Sequence, residues 1–239
     1  MAARCPDPCA WLGMHQLPDA QPADNQRAYV VRVLLPYAAK VEVVAVDAQG
    51  LSSPARVLAV LALIHPDGLF EGLIDGFSEK FDYRLRVTDK HGSIQVREDC
   101  YRFESWLSAA DRNYAHDLER FAAGDHNDAQ SFLGAHSTSM PVLTGPGGPG
   151  RTGSGLTGLR ASVNGVRFAV WAPNARRVSV VGDFNGWDAR LHVMRAHRQF
   201  GVWELFVPEI SPGVRYKFDV LSDGEFGEQA QQKADPFAF

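Results

Sequence analysis

Residues 31–44, VRVLLPYAAKVEVV, and residues 168–181, FAVWAPNARRVSVV, align at a constant offset of 137. Pro36 falls on Pro173, Ala38 on Ala175 and Lys40 on Arg177, and Val41, Val43 and Val44 fall on Val178, Val180 and Val181. Further along the offset becomes 133: GLFEGLI (68–74) meets GVWELFV (201–207), and DYRLRV (82–87) meets RYKFDV (215–220). Order and approximate spacing thus persist over the length of a domain. That is more than shared strand composition would give, and it requires the chain to build one module twice.

The repeated segments read as strands. Val41, Val43 and Ala45 share one face, as do Trp203, Leu205 and Val207, and Tyr216, Phe218 and Val220 share another. RVLAVLALI (56–64) has a pattern that a helix would also satisfy, but its setting between strands favours a strand. Turn signals at Pro66-Asp67-Gly68 and His91-Gly92 punctuate the first copy. Short alternating strands with regular turns point to antiparallel sheets packed face to face. The expected fold class is mainly β: two immunoglobulin-like β-sandwich modules joined by a short helical segment and a Gly/Pro-rich linker.

The boundaries follow composition. Residues 1–28 form an N-terminal extension, in which AWLGMH is the one apolar cluster. The first sandwich spans 29–103 and is read as degenerate and structural. A helical connector spans 104–140. In it Leu107, Tyr114, Leu118 and Phe121 form a helical stripe closed by Gly124, and DHNDAQSFLGAH reads as a second short helix ended by Gly134. Residues 141–160 are Gly/Pro-rich and bury too little apolar surface to offset their chain entropy, so they read as a linker. No Gly-Lys-Ser/Thr follows those glycines, which removes a phosphate loop. The second sandwich spans 161–230, and 231–239 starts a connection onward.

Charge and cysteine content narrow the function. A net charge of −4 argues against a general binder of nucleic acid or anionic membrane. No segment approaches the ~20 apolar residues of a membrane span, and MAARCPDPCAWLG lacks a signal-peptide core, so a cytoplasmic protein is expected. Cys5, Cys9 and Cys100 are the three cysteines. A C-x3-C pair with no second pair falls short of the four ligands of a structural zinc site, so reduced thiols and no metal are expected. No cofactor is implied. His15 and His136 follow glycine turns and read as local hydrogen-bonding residues.

The copies differ at one turn. VDAQGL (46–51) in the first stands where GDFNGW (182–187) stands in the second. Asn185-Gly186 is a strong tight-turn signal, and Trp187 directly after it is an aromatic that the sandwich can be built without. An exposed aromatic with flanking hydrogen-bonding side chains suits a neutral sugar chain, with its apolar C–H faces and hydroxyl rims. Trp187 either serves as that platform or folds back to cap the sandwich end. Lys217 points outward if Tyr216 and Phe218 are core. Asn185 either donates to a hydroxyl or shapes the turn. Trp171 and Trp203 read as core, or in the case of Trp171 as a domain-contact residue.

GVRFAVWAPNARRVSVVGDFNGWD, GVWELFVP and YKFDV resemble carbohydrate-binding modules of family 48. With DPCAWLGMH, FLGAH and KADPFAF in this order, the chain from about Asp7 to Phe239 resembles the N-terminal half of bacterial glycogen branching enzymes, of glycoside hydrolase family 13. The resemblance implies α-glucan contacts at Trp187 and Lys217, and a second aromatic after YKF, for which Phe226 is the nearest match. In that family a (β/α)8 barrel follows KADPFAF and carries the catalytic carboxylates. It cuts an α-1,4 linkage and transfers the chain to a 6-hydroxyl in glycogen biosynthesis.

Such a barrel takes ~250 residues, and this chain stops at Phe239. Retaining glycosyl transfer needs two carboxyl groups about 5 Å apart, and no candidate pair stands out, so no catalytic residues are expected and the chain alone is expected to be inactive. The apolar ending DPFAF reads as a truncation. The expected function is to bind or position α-glucan (glycogen or a maltooligosaccharide) and to support a C-terminal catalytic barrel. The alternatives are a free-standing glycogen-binding adaptor and a structural domain without glucan affinity.

Overall fold

The computed structural model describes residues 7–17, 27–45, 56–77, 80–107, 112–141, 162–224 and 227–238. The VDAQGL segment, the residues 142–160 of the Gly/Pro stretch, Cys5, Phe226 and the side chain of Tyr114 therefore lie outside the described residues. The chain divides into two compact units: residues 11–102 with 139–163, and residues 1–10, 103–138 and 164–239.

The first unit carries β1 (Gly13–Gln16), β2 (Arg27–Leu34), β3 (Ala38–Ala45), β4 (Val57–His65), β5 (Leu69–Phe77), β6 (Tyr83–Asp89) and β7 (Ile94–Arg97). Their order is β1-β2-β5-β4-β3-β6-β7, and each neighbouring pair among them is antiparallel. RVLAVLALI is thus a strand, as its setting required. β4 pairs with β3 through Val57–Leu61 and with β5 through Ala62–His65, so one strand serves two half-sheets. The two halves bury Tyr29, Val31 and Val33 of β2 with Val41 and Val43 of β3 and Tyr83, Leu85 and Val87 of β6.

The rest of the chain carries α1 (Arg112–Ala122) and then β8 (Gly134–Pro141), β9 (Ser162–Trp171), β10 (Ala175–Gly182), β11 (Arg195–His197), β12 (Val202–Pro208), β13 (Tyr216–Gly224) and β14 (Gly227–Lys233). They form the sheets β11-β12-β9-β8 and β10-β13-β14, joined by one isolated bridge, Ser179 to Val193. Read through that bridge the order is β8-β9-β12-β11, then β10-β13-β14. The first module has the same order, strand for strand. β3 carried forward by 137 residues coincides with β10 at both ends. The repeat in the sequence is therefore a repeat of topology. What separates the copies is β4: a single nine-residue strand in the first, it is represented in the second by the Ser179–Val193 bridge and the three residues of β11.

Two expectations need correction. The proposed second helix at 125–136 is only a 3-10 turn at Ala129–Ser131, and Gly134 opens β8 instead of ending a helix. The alternation read in β12 also fails, because all seven of its residues are buried. Segment 103–107 covers the supposed outer face. Phe103 meets Phe206 edge to face at 4.8 Å, and the Arg167 guanidinium lies 4.6 Å from the Trp106 ring centre. α1 is shorter than its stripe suggested, with Leu107 outside it, but it stops where expected: Gly124 has φ +75 and its N–H donates to the Phe121 carbonyl.

The two Leu-Gly-x-His segments are local structural devices, as the sequence indicated. His15 Nε2 donates to the Leu12 carbonyl at 2.8 Å, and His136 Nε2 to the Leu133 carbonyl at 2.9 Å. Gly13 (φ +87) and Gly134 (φ +98) hold the backbone conformation that L side chains resist.

The first module also has an acid-sensitive ion pair. Glu42 on β3 is buried and accepts from Arg86 Nε at 2.7 Å, with Lys40 Nζ at 2.8 Å. The hydrogen bond from Arg86 is the main reason its carboxyl titrates at about 2 instead of 4.5. A carboxyl depressed on folding stabilises above its ordinary value and loses that contribution as pH falls towards the folded one. Glu42→Gln is expected to cost roughly 1–3 kcal/mol at pH 7 and to flatten the fall in thermal stability between pH 4.5 and 2. Calorimetry across that range checks both.

Candidate functional site

The turn after β10 is built around Asn185. Asp183–Asn185 form a 3-10 turn, and Gly186 follows in the left-handed conformation (φ 62, ψ 25). The Gly182 N–H donates to Asn185 Oδ1 at 2.9 Å, which fixes the orientation of the side-chain amide. Its Nδ2 then donates to the Val180 carbonyl and to His192 Nδ1, both at 2.9 Å. An amide nitrogen only donates, so His192 accepts at Nδ1 and carries its proton on Nε2. Both amide hydrogens of Asn185 are spent inside the protein. Of its two readings, the geometry fits shaping of the turn.

The two aromatics of the turn go opposite ways. Phe184 packs inward, with its ring 6.2 Å from Phe168 and 5.4 Å from His192. Trp187 stays at the surface, 36% exposed. Its backbone has φ +62, a left-handed conformation that costs a non-glycine residue roughly 1 kcal/mol. Its backbone N–H donates to the Gly182 carbonyl at 3.1 Å, and its indole Nε1–H to Asp183 Oδ1 at 3.1 Å. Asp183 is held in turn by Arg215 Nε at 3.0 Å, and that guanidinium is the main reason its carboxyl lies below the usual range. The indole is therefore fixed at the surface, outside the core.

Lys217 is exposed on β13, while Tyr216 and Phe218 beside it point the other way, Phe218 fully buried and Tyr216 against Phe168 at 5.0 Å. In the β10–β13 register Lys217 faces Val181, next to the Gly182–Tyr216 pair. Trp187 is tied to Gly182 and, through Asp183, to Arg215. Lys217 and the Trp187 turn thus meet at the same end of the β10–β13 ladder. Arg215 and Asp183, which the sequence reasoning passed over, are what orient the indole. The available signal is the aspartate of GDFNGW, four residues before the tryptophan.

Of the other tryptophans, Trp203 is core, donating from Nε1 to the Ala172 carbonyl at 3.0 Å. Trp171 is not: it is 55% exposed, because β9 ends there at the surface. Among the described residues no group of three His, Cys, Asp or Glu side chains is arranged to hold a metal ion. Burial pushes the Cys9 thiol up to about 12, so it stays protonated at neutral pH. No helix among the described residues is long and apolar enough to cross a membrane.

Two family models match the chain. The model of the alpha-1,4-glucan branching enzyme GlgB N-terminal domain covers residues 1–101, and that of carbohydrate-binding module 48 (isoamylase N-terminal domain) covers residues 155–238. The relatives include 1,4-alpha-glucan branching enzymes GlgB of Paraburkholderia xenovorans (42% identical over 99% of this chain and 26% of the relative) and Burkholderia pseudomallei (41%, over 100% and 27%). That of Rubrobacter xylanophilus is 39% identical over 98% of this chain and 26% of its own length. The chain spans about a quarter of the length of the curated relatives it matches.

Proposed function

We propose that this chain, whose residues 1–101 belong to the branching-enzyme GlgB N-terminal domain family and whose residues 155–238 belong to carbohydrate-binding module 48, binds neutral α-glucan on the surface formed by Trp187 and Lys217. The observation that carries this is Trp187 itself. A large aromatic occupies a left-handed backbone position and remains exposed, held there by Asp183 and Arg215. Backbone strain of this kind persists where the surroundings enforce it, and it clusters at functional sites. The indole offers a fixed face to the C–H side of a glucose ring, and the Lys217 ammonium donates to ring hydroxyls. Phe226, beyond β13, is the proposed second aromatic. Asn185 holds the platform and leaves the sugar to the others.

In this reading the chain contributes to glycogen biosynthesis in the cytoplasm. The second module presents glucan to a C-terminal catalytic barrel that performs the 1,4-α-glucan branching reaction, and the first module supports that assembly. The chain itself supplies no catalytic residues and uses no cofactor. Titration of the 239-residue chain with maltoheptaose, followed by calorimetry, tests the binding step. Saturable heat supports it. Absence of heat from the folded chain leaves a structural domain.

The platform's pin gives a second expected result. Asp183→Ala removes the acceptor of the Trp187 indole and the partner of Arg215. Affinity for maltoheptaose is expected to drop about two- to fivefold with little change in melting temperature. Because the Asp183 carboxyl is depressed in the folded chain, the wild type keeps this pin at neutral pH and loses it only as pH falls below the usual carboxylate range. The variant's affinity should show no such step.

A further inference from the structure

The second module has another aromatic corner, at the far end of β10 from Trp187. β9 ends at Trp171, and β10 begins at Ala175 and runs eight residues to Gly182. At about 3.3 Å per residue, the seven rises of β10 put its two ends about 23 Å apart. Trp171 borders a cavity of about 310 Å³ lined by Phe121, Pro173, Arg198, Gln199 and Gly201, among others.

The corner is rigid. The Ala172 N–H donates to the Gly201 carbonyl at 2.8 Å, and the Ala172 carbonyl accepts from Trp203 Nε1 at 3.0 Å. Trp171 meets Phe121 edge to face at 6.2 Å, and Phe121 leans in turn on the fully buried Phe132 at 5.5 Å. Gly201 (φ +67) leaves the space that a Cβ would fill, 2.7 Å from Pro173 Cβ and 3.2 Å from the Trp171 indole nitrogen.

The repeat isolates what is special here. The first module builds the same corner from Leu34, Pro36 and Gly68, with Gly68 (φ +90) again against the proline. There the position of Trp171 holds a half-buried leucine. The second copy has a tryptophan with more than half its surface open, beside exposed Arg198 and Gln199. An apolar ring face with an amide and a guanidinium at its rim is suited to a neutral polyhydroxyl ring: C–H groups on the indole, hydroxyls on the side chains.

We propose that this corner is a second glucan subsite, in which Trp171 stacks a glucose ring of an α-1,4-glucan and Arg198 and Gln199 hydrogen-bond its hydroxyls. The inference rests on the reading that this module binds glucan. It adds that the module holds two glucan segments at once, so a branched polymer gains by simultaneous engagement of both ends.

The test follows the indole N–H resonances of the full chain by NMR during titration with maltoheptaose. The expected result is two separate saturation curves, one at Trp187 and one at Trp171, with Trp203 serving as a fold control. Trp187→Ala is expected to leave the Trp171 curve in place. Arg198→Ala, which keeps the indole as reporter, is expected to weaken that curve about two- to tenfold, and Trp171→Ala is expected to remove one of the two binding events seen by calorimetry. On glycogen, each single tryptophan variant should lose about tenfold or more in retention. If maltoheptaose shifts Trp187 alone and Trp171→Ala leaves all binding unchanged, the second subsite is overturned and the proposed function stands. If only the Trp171 curve appears, the subsite stands and the Trp187 platform falls. A folded wild type that shifts neither overturns both.

Discussion

Trp187→Ala is expected to lower maltoheptaose affinity at the turn about tenfold or more, while the second module still melts cooperatively. The indole supplies most of the apolar contact a glucose ring can make there, and an exposed lysine alone offers little against water. The fold should survive because the sandwich core is built elsewhere: Phe168, Val178, Val180 and Phe218 are all buried, and Phe184 already closes this end. The cost in stability is about 1–2 kcal/mol, from the partly buried ring and its bond to Asp183. A second variant separates strain from contact. Trp187→Gly removes the same ring but also relieves the left-handed backbone, so it should be about 1 kcal/mol more stable than Trp187→Ala and bind no better. Thermal denaturation and calorimetric titration of the three proteins check this order. If Trp187→Ala binds like the wild type, the platform is elsewhere. If it unfolds, the indole is a core residue in spite of its exposure.

Much of this architecture was legible in the sequence because repetition is a strong constraint. The offset of 137 between VRVLLPYAAKVEVV and FAVWAPNARRVSVV translates into β2 and β3 corresponding to β9 and β10 in order and pairing. The Leu-Gly-x-His turns were readable because glycine at positive φ followed by a ring donor is a local device that needs no knowledge of the rest of the fold. What pattern reading missed was set by long-range cover. β12 carries alternating residues, yet both faces are buried because segment 103–107 lies over it, and nothing in GVWELFVP announces that. RVLAVLALI has the opposite fate: Val60, Leu63 and Ile64 are apolar and exposed, because β4 passes from one half-sheet to the other and buries only Leu61 fully. The sequence leaves Trp171 between core and a domain-contact position for the same reason, since a strand's last residue shows its exposure only once the neighbouring corner is built. At the candidate site the turn and its tryptophan were legible. The pinning of the indole by Asp183 and Arg215 was not, because it joins residues 32 apart across two strands.

Asn185→Ala should produce the opposite pattern to Trp187→Ala: stability and binding lost together. The substitution leaves the Gly182 N–H without its acceptor and the Val180 carbonyl and His192 Nδ1 without their donors. His192 is buried and sits at φ +51, a conformation held by this network. Each orphaned buried group costs about 1–3 kcal/mol, reduced where water enters, so a total of about 2–4 kcal/mol is expected. Asn185→Asp retains an oxygen for the Gly182 N–H but loses both donors and brings a carboxylate against the Val180 carbonyl, so it should rescue little. The affected span, 182–192, leads from the end of β10 to the Ser179–Val193 bridge that ties the two sheets of the second module. Loosening it frees the backbone of Trp187 without touching the indole, and glucan affinity at this turn should fall in step with the local melting of residues 182–192. Hydrogen exchange at Gly182 and Trp187 reads that melting directly, and exchange rates unchanged in Asn185→Ala would return Asn185 to the role of a direct glucan contact.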